Sequence, residues 1–211
     1  CPEGNISIGF CTIASNALRC DTTTDFTMGS IAIGTCTCST ACASYAAGNW
    51  TTASGAWSTA SGYSVTASGY GSQAYGGRAC SVGQNSTAVG THAKALGVGS
   101  QGFGIHSYAN CDHSTAIGYY SCATECSATV VGRYSCASGT SSSAFGRNTC
   151  ATTLNSTAVG YYAKATTNVG GSAFGYSTTA SGGYSTAIGF ITIASGGRST
   201  AIGQCVQATG A

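Results

Sequence analysis

The stretch NSTAVGTHAKALGV, residues 85–98, returns seventy positions later as NSTAVGYYAKATTN, residues 155–168. A near-copy at that distance indicates an internal repeat, and its period decides the fold. A glycine that follows a small residue by two positions recurs every fourteen residues, so the two copies lie five periods apart. The period lengthens once by one residue before Gly175, and Gly9 marks an earlier coil. The regular glycines are Gly34, Gly48, Gly62, Gly76, Gly90, Gly104, Gly118, Gly132, Gly146, Gly160, Gly175, Gly189 and Gly203.

Each period contains two short segments in which small residues alternate with variable ones. Around Gly90, for example, the small residues are Ser86, Ala88 and Ala95. Alternation with period two is typical of strands with one buried face, and helical periodicity is poorly supported. Two strands per fourteen residues predict an all-β solenoid with a thin core of Ser, Ala, Thr and Gly. With coils stacked at about 4.8 Å, the expected rod is about 65 Å long.

Composition excludes several other classes of protein. The chain has 32 Gly, 1 Pro and 6% charged residues, but its 12 Tyr and 6 Phe are not typical of disorder. A net charge of +2 is too small, and the seven Lys and Arg are too scattered, to indicate a nucleic-acid or anionic membrane partner, so we expect no nucleic-acid partner. No apolar run reaches membrane-spanning length, so we expect no membrane insertion. No acid–base pair or nucleophile arrangement stands out, and we expect neither an enzyme nor a cofactor.

The pattern S-x-A-[IVF]-G-x-x-A-x-A-x-G, seen as STAVGTHAKALG and STAIGFITIASG, resembles the head repeat of YadA-type trimeric autotransporter adhesins. That repeat also occurs in fibres of phages and large viruses. The resemblance covers about residues 30–211, with thirteen copies in register. It implies a left-handed parallel β-roll and a side-by-side homotrimer. The neck, heptad stalk and membrane translocator of that family do not occur in these residues, so the resemblance implies the head architecture alone.

An apolar residue stands before most of the repeat glycines and is expected to face outward. Left exposed, such a stripe would form a continuous adhesive patch, so we predict that it is the subunit interface. The predicted interface residues are Ile33, Val89, Phe103, Ile117, Val131, Phe145, Val159, Phe174, Ile188 and Ile202.

Threonines recur three residues before the glycine, for example at Thr87, Thr115 and Thr157. Flat threonine ladders on β-solenoids bind ice. In this chain the ladder is interrupted at Gln73 and Gln101 and has bulky neighbours, so its surface is expected to be rough. Ice binding is therefore the third hypothesis, and a thermal-hysteresis assay tests it.

Thirteen cysteines indicate an oxidising, extracellular setting. Stacked coils place equivalent residues about 4.8 Å apart, within the Cα–Cα range of a disulfide. The odd count leaves at least one sulfur outside the intrachain pairs, and Cys1 and Cys205 are candidates for links between subunits. The candidate pairs are Cys11–Cys36, Cys38–Cys42, Cys1–Cys20, Cys111–Cys126 and either Cys122–Cys136 or Cys136–Cys150.

Two clusters leave alternatives open. Cys111, Asp112 and His113 lie below Glu125 and Cys126 of the next coil, where either a transition metal or, more simply, a disulfide accounts for the sulfurs. A second set shares one outward position and serves either as surface packing or as a platform for sugars. This set is Trp50, His92, His106, Tyr120, Tyr134 and Tyr162. N-glycosylation sequons stand at Asn5, Asn49, Asn85 and Asn155.

We predict two regions along the chain. Residues 1–29 form an N-terminal coil with an inserted loop at 17–29, suited to capping or docking, and residues 30–211 form one solenoid. The last coil carries no cap, which indicates truncation, cleavage or head-to-tail docking. The predicted function is an extracellular structural fibre or adhesin head at a cell or virion surface. In this hypothesis, a rigid disulfide-braced rod attaches to a host protein or glycan. The alternative is a subunit of a self-assembling extracellular filament.

Overall fold

The computed structural model describes residues 4–15, 29–166 and 169–210, and within those ranges its regular structure is entirely β-strand. The chain divides into two units, Cys1–Ile105 and His106–Ala211. Nearly all of the inserted loop predicted at 17–29 lies outside the described residues, as do Cys1 and Cys20.

In the first unit, successive strands alternate between two parallel sheets. The first sheet contains β1 (Ile6–Phe10), β3 (Ile31–Thr35), β5 (Tyr45–Asn49), β7 (Thr59–Tyr63), β9 (Gln73–Gly77), β11 (Thr87–Val89) and β13 (Gln101–Phe103). The second sheet contains β2 (Ile13–Ala14), β4 (Cys38–Ser39), β6 (Thr52–Ala53), β8 (Thr66–Ala67), β10 (Cys80–Ser81) and β12 (Lys94–Ala95).

The second unit repeats this arrangement. Its first sheet contains β15 (Thr115–Ile117), β17 (Thr129–Arg133), β19 (Ser143–Arg147), β21 (Thr157–Tyr161), β23 (Ser172–Tyr176), β25 (Thr186–Phe190) and β27 (Thr200–Gln204). Its second sheet contains β14 (Tyr108–Ala109), β16 (Cys122–Ala123), β18 (Cys136–Ala137), β20 (Cys150–Ala151), β22 (Lys164–Ala165), β24 (Thr179–Ala180), β26 (Ile193–Ala194) and β28 (Gln207–Ala208).

Each strand pairs with its equivalent on the next coil. Ser143 lies opposite Thr157 and Gly146 opposite Gly160, one period away. β1 pairs in register with β3, so the first coil stacks on the second although extra residues separate them in sequence. The predicted parallel β-solenoid with coils of fourteen residues is therefore confirmed in each unit.

The core between the two sheets is as thin as the composition predicts. Ser86, Ala88 and Ala95 have no exposed surface, and Val65 and Val130 are the largest apolar side chains that are fully buried among the described residues. The core also contains many buried Ser and Thr hydroxyls, and that of Ser86 donates to the Gly83 carbonyl at 2.7 Å. Small side chains allow the sheets to approach closely, and this explains why leucine is nearly absent.

Two corners close a coil, and among the described residues from Cys36 onward each corner is a residue in the left-handed region, at every seventh position apart from one step of eight between Tyr162 and Gly170. In one coil these residues are Tyr120 and Ser127, with φ values of 51° and 56°. The corner N–H groups donate to the preceding coil, as from Tyr134 to the Tyr119 carbonyl at 2.9 Å. Hydrogen bonding between coils therefore stabilises a conformation that non-glycine residues rarely adopt.

The repeat glycine is required for two separate reasons. Gly34 has a φ of +131°, a conformation that L-residues avoid, and an added Cβ would overlap the carbonyl oxygen of Gly48 on the next coil. The same relationship joins Gly146 to Gly160. The glycine is thus the most regular feature of the repeat because the neighbouring coil leaves no room for a side chain.

Candidate functional site

The outer face of the first sheet carries the apolar column predicted before the repeat glycines. In the second unit, Val131 and Phe145 are adjacent partners on β17 and β19, and both side chains are more than one-third exposed in the single chain. Phe174 and Ile188 are partners in the same way on β23 and β25.

The other members of the column differ in exposure. In the first unit, Ile33 is exposed, whereas Val89 and Phe103 are half-buried. The remaining members are Ile117 and Ile202, which are exposed, and Val159, which is half-buried.

An aromatic ladder lies one residue after the glycine in the second unit. Tyr161 and Tyr176 stack with ring centroids 5.1 Å apart, and Tyr176 stacks on Phe190 at 4.9 Å. The guanidinium of Arg147 lies 5.3 Å from the centre of the Tyr161 ring, within cation–π range. Sequence reasoning did not single out this ladder, although it has the same fourteen-residue register as the apolar column.

The first corner of the coil carries the histidines and aromatic residues predicted to share one outward position. His106 stacks on Tyr120 at 4.5 Å, and Tyr120 stacks on Tyr134 at 5.6 Å. Tyr119 packs edge-on against Tyr134 at 5.4 Å, and a hydrogen bond with Tyr134 raises the pKa of the Tyr119 phenol.

Two further members of this set lie in the first unit. Trp50 and His92 occupy the same kind of left-handed corner there. Tyr162 occupies it in the second unit and packs against Tyr161 at 4.5 Å. Within the second unit, the predicted stripe therefore includes local ring contacts.

The outer face of the second sheet carries a column of thiols. Cys122, Cys136 and Cys150 are direct partners on β16, β18 and β20, and Lys164 on β22 follows Cys150. All three cysteines are free and half-buried. Neither of the alternative pairings Cys122–Cys136 and Cys136–Cys150 is formed, so those two predictions do not match the structure.

The thiols of this column differ because their neighbours differ. A hydrogen bond from Cys122, aided by one from Ser138 and opposed by burial, lowers the pKa of Cys136 to about 6. The same contact, together with burial, raises the pKa of Cys122. Burial also raises the pKa of Cys150, and so does the charge of Cys136.

Cys111 and Cys126 form a disulfide with a Cα–Cα distance of 4.8 Å. The two sulfurs proposed as metal ligands are therefore bonded to each other. Among the described residues, no group of three or more His, Cys, Asp or Glu side chains is placed to hold a metal ion. Asp112 and His113 lie beside the disulfide at an exposed corner.

The other cysteine predictions have mixed outcomes. Cys42 is disulfide-bonded but Cys38 is free, so the pairing of Cys38 with Cys42 is wrong. The reason is geometric, since Cys38 faces outward from β4 whereas Cys42 is buried beyond the strand end.

Cys11 and Cys36 are also free. Both are exposed left-handed corner residues, so the predicted bond between them is absent. Cys205 is an exposed free thiol, and Cys1 lies outside the described residues, as does the Cys1–Cys20 pairing.

The four sequon asparagines have different surroundings. Asn49, Asn85 and Asn155 are exposed, and the last two are corner residues. Asn5 is instead half-buried, and its side-chain oxygen accepts a hydrogen bond from the Ser30 N–H at 2.8 Å. Glycosylation of the exposed three stays a prediction.

In the part of the chain that the structure describes, no helix has the length and apolar character needed to cross a membrane.

The comparisons with known proteins agree with the repeat. The family model described as YadA head domain repeat (2 copies) matches residues 81–100, 137–166, 167–190 and 180–204. The matched segments fall in both units and include β11, β19 and β25. The resemblance predicted from the fourteen-residue pattern is thereby confirmed. No curated protein matches the chain.

Proposed function

Because the chain carries YadA head domain repeats, we propose that it forms the head of a trimeric adhesin or fibre on an extracellular surface. Its role is mechanical rather than catalytic. The coils hold variable side chains in a fixed register and present these side chains to a host protein or glycan.

The observation that carries this proposal is the apolar column on the first sheet. Phe145 and Phe174 are exposed on the outer face of the first sheet, and the short polar residues Ser143 and Ser172 stand at the starts of their strands. Burying a large apolar side chain contributes about 1.5–3 kcal/mol, and the column repeats that gain on successive coils. Side-by-side association of three chains buries such a column.

The adhesive surface in this proposal is formed by the corners, because corner side chains point away from the core and differ between coils. In the second unit, Tyr120, Tyr134 and Tyr162 present aromatic rings there, and Arg133 and Arg147 add positive charge. Aromatic faces stack on sugars and on side chains of a partner protein. The disulfide at Cys111–Cys126 supports an extracellular location, because cytosolic thiols stay reduced.

The oligomeric state is tested by light scattering after size exclusion under non-reducing conditions. Phe174→Asp places a charge in the apolar column, and Thr179→Asp places the same charge on the second sheet of the same coil. We expect trimers for the natural chain and for Thr179→Asp, and monomers for Phe174→Asp. A monomeric natural chain, or equal behaviour of the two variants, would contradict the proposal.

Negative-stain images of the same samples separate discrete trimers from head-to-tail filaments. Filaments would support the self-assembling alternative. Adhesion is tested separately by binding of the natural chain to arrays of glycans and extracellular proteins. Binding that falls in the combined Tyr120→Ala, Tyr134→Ala variant, with the oligomeric state retained, supports the corners as the adhesive surface. Unchanged binding by this variant contradicts it.

A further inference from the structure

Three free thiols on successive coils are not explained by the architecture of the head. Cys122, Cys136 and Cys150 occupy one outward column of the second sheet, on the opposite side of the coil from the apolar column. Neighbouring strands lie about 4.8 Å apart, which is within the Cα–Cα range of a disulfide. The central thiol therefore has a partner within bonding reach on each side.

We propose that Cys122, Cys136 and Cys150 form a thiol–disulfide exchange site whose substrate is a small, solvent-accessible disulfide of the glutathione disulfide class. Cys136 is the attacking thiol, and Cys122 or Cys150 is the resolving thiol. This assignment stands independently of the adhesin proposal.

The chemistry balances without a further reactant. The Cys136 thiolate attacks one sulfur of the substrate disulfide, an S–S bond forms to Cys136, and the other half leaves as a thiolate. A neighbouring cysteine of the column then loses its proton to solvent, attacks the Cys136 sulfur and expels the second thiolate. The substrate gains two electrons, and the column loses two as it forms Cys122–Cys136 or Cys136–Cys150.

The neighbours of Cys136 favour it as the attacking group. It alone in the column has a cysteine on both sides, and hydrogen bonds from Cys122 and Ser138 stabilise its thiolate form. The resolving thiols sit in less favourable surroundings for ionisation, because burial raises the pKa of both Cys122 and Cys150. Lys164 follows Cys150 in the column and brings a positive charge to its end.

Cys80 provides a control within the same molecule. It occupies the same outward column position on β10 and is also free and half-buried, but its strand partners are Thr66 and Lys94. Cys80 therefore shares the fold environment of Cys136 and lacks a sulfur neighbour. Burial raises the pKa of Cys80, although the charge of Lys94 offsets part of this effect.

The experiment uses the full chain, purified with a low concentration of reductant that is removed before use. Glutathione disulfide is added at pH 7, remaining thiols are blocked with a maleimide at intervals, and tryptic peptides are analysed by mass spectrometry. Cleavage after Arg78, Lys94, Arg133, Arg147 and Lys164 places Cys80, Cys122, Cys136 and Cys150 in four separate peptides. Each thiol can therefore be followed on its own.

We expect Cys136 to be oxidised at least about tenfold faster than Cys80, and to end in a disulfide-linked peptide with Cys122 or Cys150. In the combined Cys122→Ser, Cys150→Ser variant, the glutathione adduct on Cys136 should persist, because no resolving thiol remains. Equal rates at Cys136 and Cys80 would overturn the assignment. So would an adduct in the natural chain that lasts as long as in the variant. The comparison with Cys80 needs only the natural chain, so it holds even if a variant folds poorly.

Discussion

Cys111 and Cys126 lie fifteen residues apart in sequence, one residue more than a full coil, and their Cα atoms are 4.8 Å apart. The bond therefore joins diagonal neighbours on successive coils and closes a loop of about one turn. In the chain-entropy description, a loop of this size stabilises the fold by about 3 kcal/mol.

The double variant Cys111→Ala, Cys126→Ala should accordingly lose about 2–3 kcal/mol in urea unfolding. Cys80→Ala, which removes a free thiol, is the matched control and should change stability by less than about 1 kcal/mol. A double variant as stable as the control would mean that the bond does not brace the coils.

The repeat glycines should be far less tolerant than other glycines. Gly146→Ala introduces a Cβ that overlaps the Gly160 carbonyl at a φ of +128°, so we expect a loss of at least about 3 kcal/mol. Gly197→Ala introduces a Cβ with nothing within 4 Å, so its effect should stay within about 0.5 kcal/mol. Thermal unfolding followed by circular dichroism measures both, and similar melting temperatures for the two variants would argue against this account.

Stacking on the aromatic ladder should couple Tyr161 and Tyr176 energetically. Their rings are 5.1 Å apart and nearly parallel, with an interplanar angle of 18°. A double-mutant cycle with alanine at both positions should give a coupling of about 0.5–1.5 kcal/mol. Tyr119 and Tyr176 follow repeat glycines on coils that are not adjacent. The free-energy effects of replacing them with alanine should therefore add to within about 0.5 kcal/mol. Equal coupling in both cycles would show that the ring contact is not its source.

The thiol column should make stability depend on pH. Because Cys136 has a pKa lowered from 9.0 to about 6, the unfolded chain holds a proton between these values that the folded chain has released. The contribution of Cys136 to stability therefore rises from pH 6 to pH 9 and is lost as pH falls through about 6. Above pH 9 the raised pKa of Cys122 acts in the opposite direction, since the folded chain then retains a proton that the unfolded chain releases.

Urea midpoints measured without oxygen at pH 6 to 9, for the natural chain and for Cys136→Ser, isolate this contribution. Contributions from groups outside the thiol column are common to both proteins and cancel in the difference. The groups that share the column with Cys136 are Tyr108, Cys122, Cys150 and Lys164. A difference between the two midpoints that does not grow with pH would contradict the assigned thiolate.

The period and the core were readable from sequence because sterics determine both. Ala88 and Ser86 must be small to fit between the sheets, and Gly90 has no room for a side chain below Gly104. The left-handed corners were not readable, since residues as different as Trp57 and Ser127 occupy them. Their conformation is imposed by hydrogen bonds to the neighbouring coil, which local sequence does not encode.

The cysteine pairs were likewise predictable only in part. The register correctly placed Cys111 beside Cys126, because stacking alone brings them together. It wrongly paired Cys38 with Cys42, because spacing along one coil does not tell which side of the strand end a sulfur faces. The contact between Cys122 and Cys136 was expected as a possible bond, yet the thiols share a hydrogen bond instead.

The backbone hydrogen bonds run almost entirely between coils, as from Tyr45 to Ser58 and from Trp50 back to Thr35. A single coil on its own has little to hold its shape beyond one tight turn, so it gains order only against a coil that is already formed. Folding within a unit should then begin with about three adjacent coils and proceed outward one coil at a time. In a newly made chain, each folded coil would then serve as the template on which the next coil forms its hydrogen bonds.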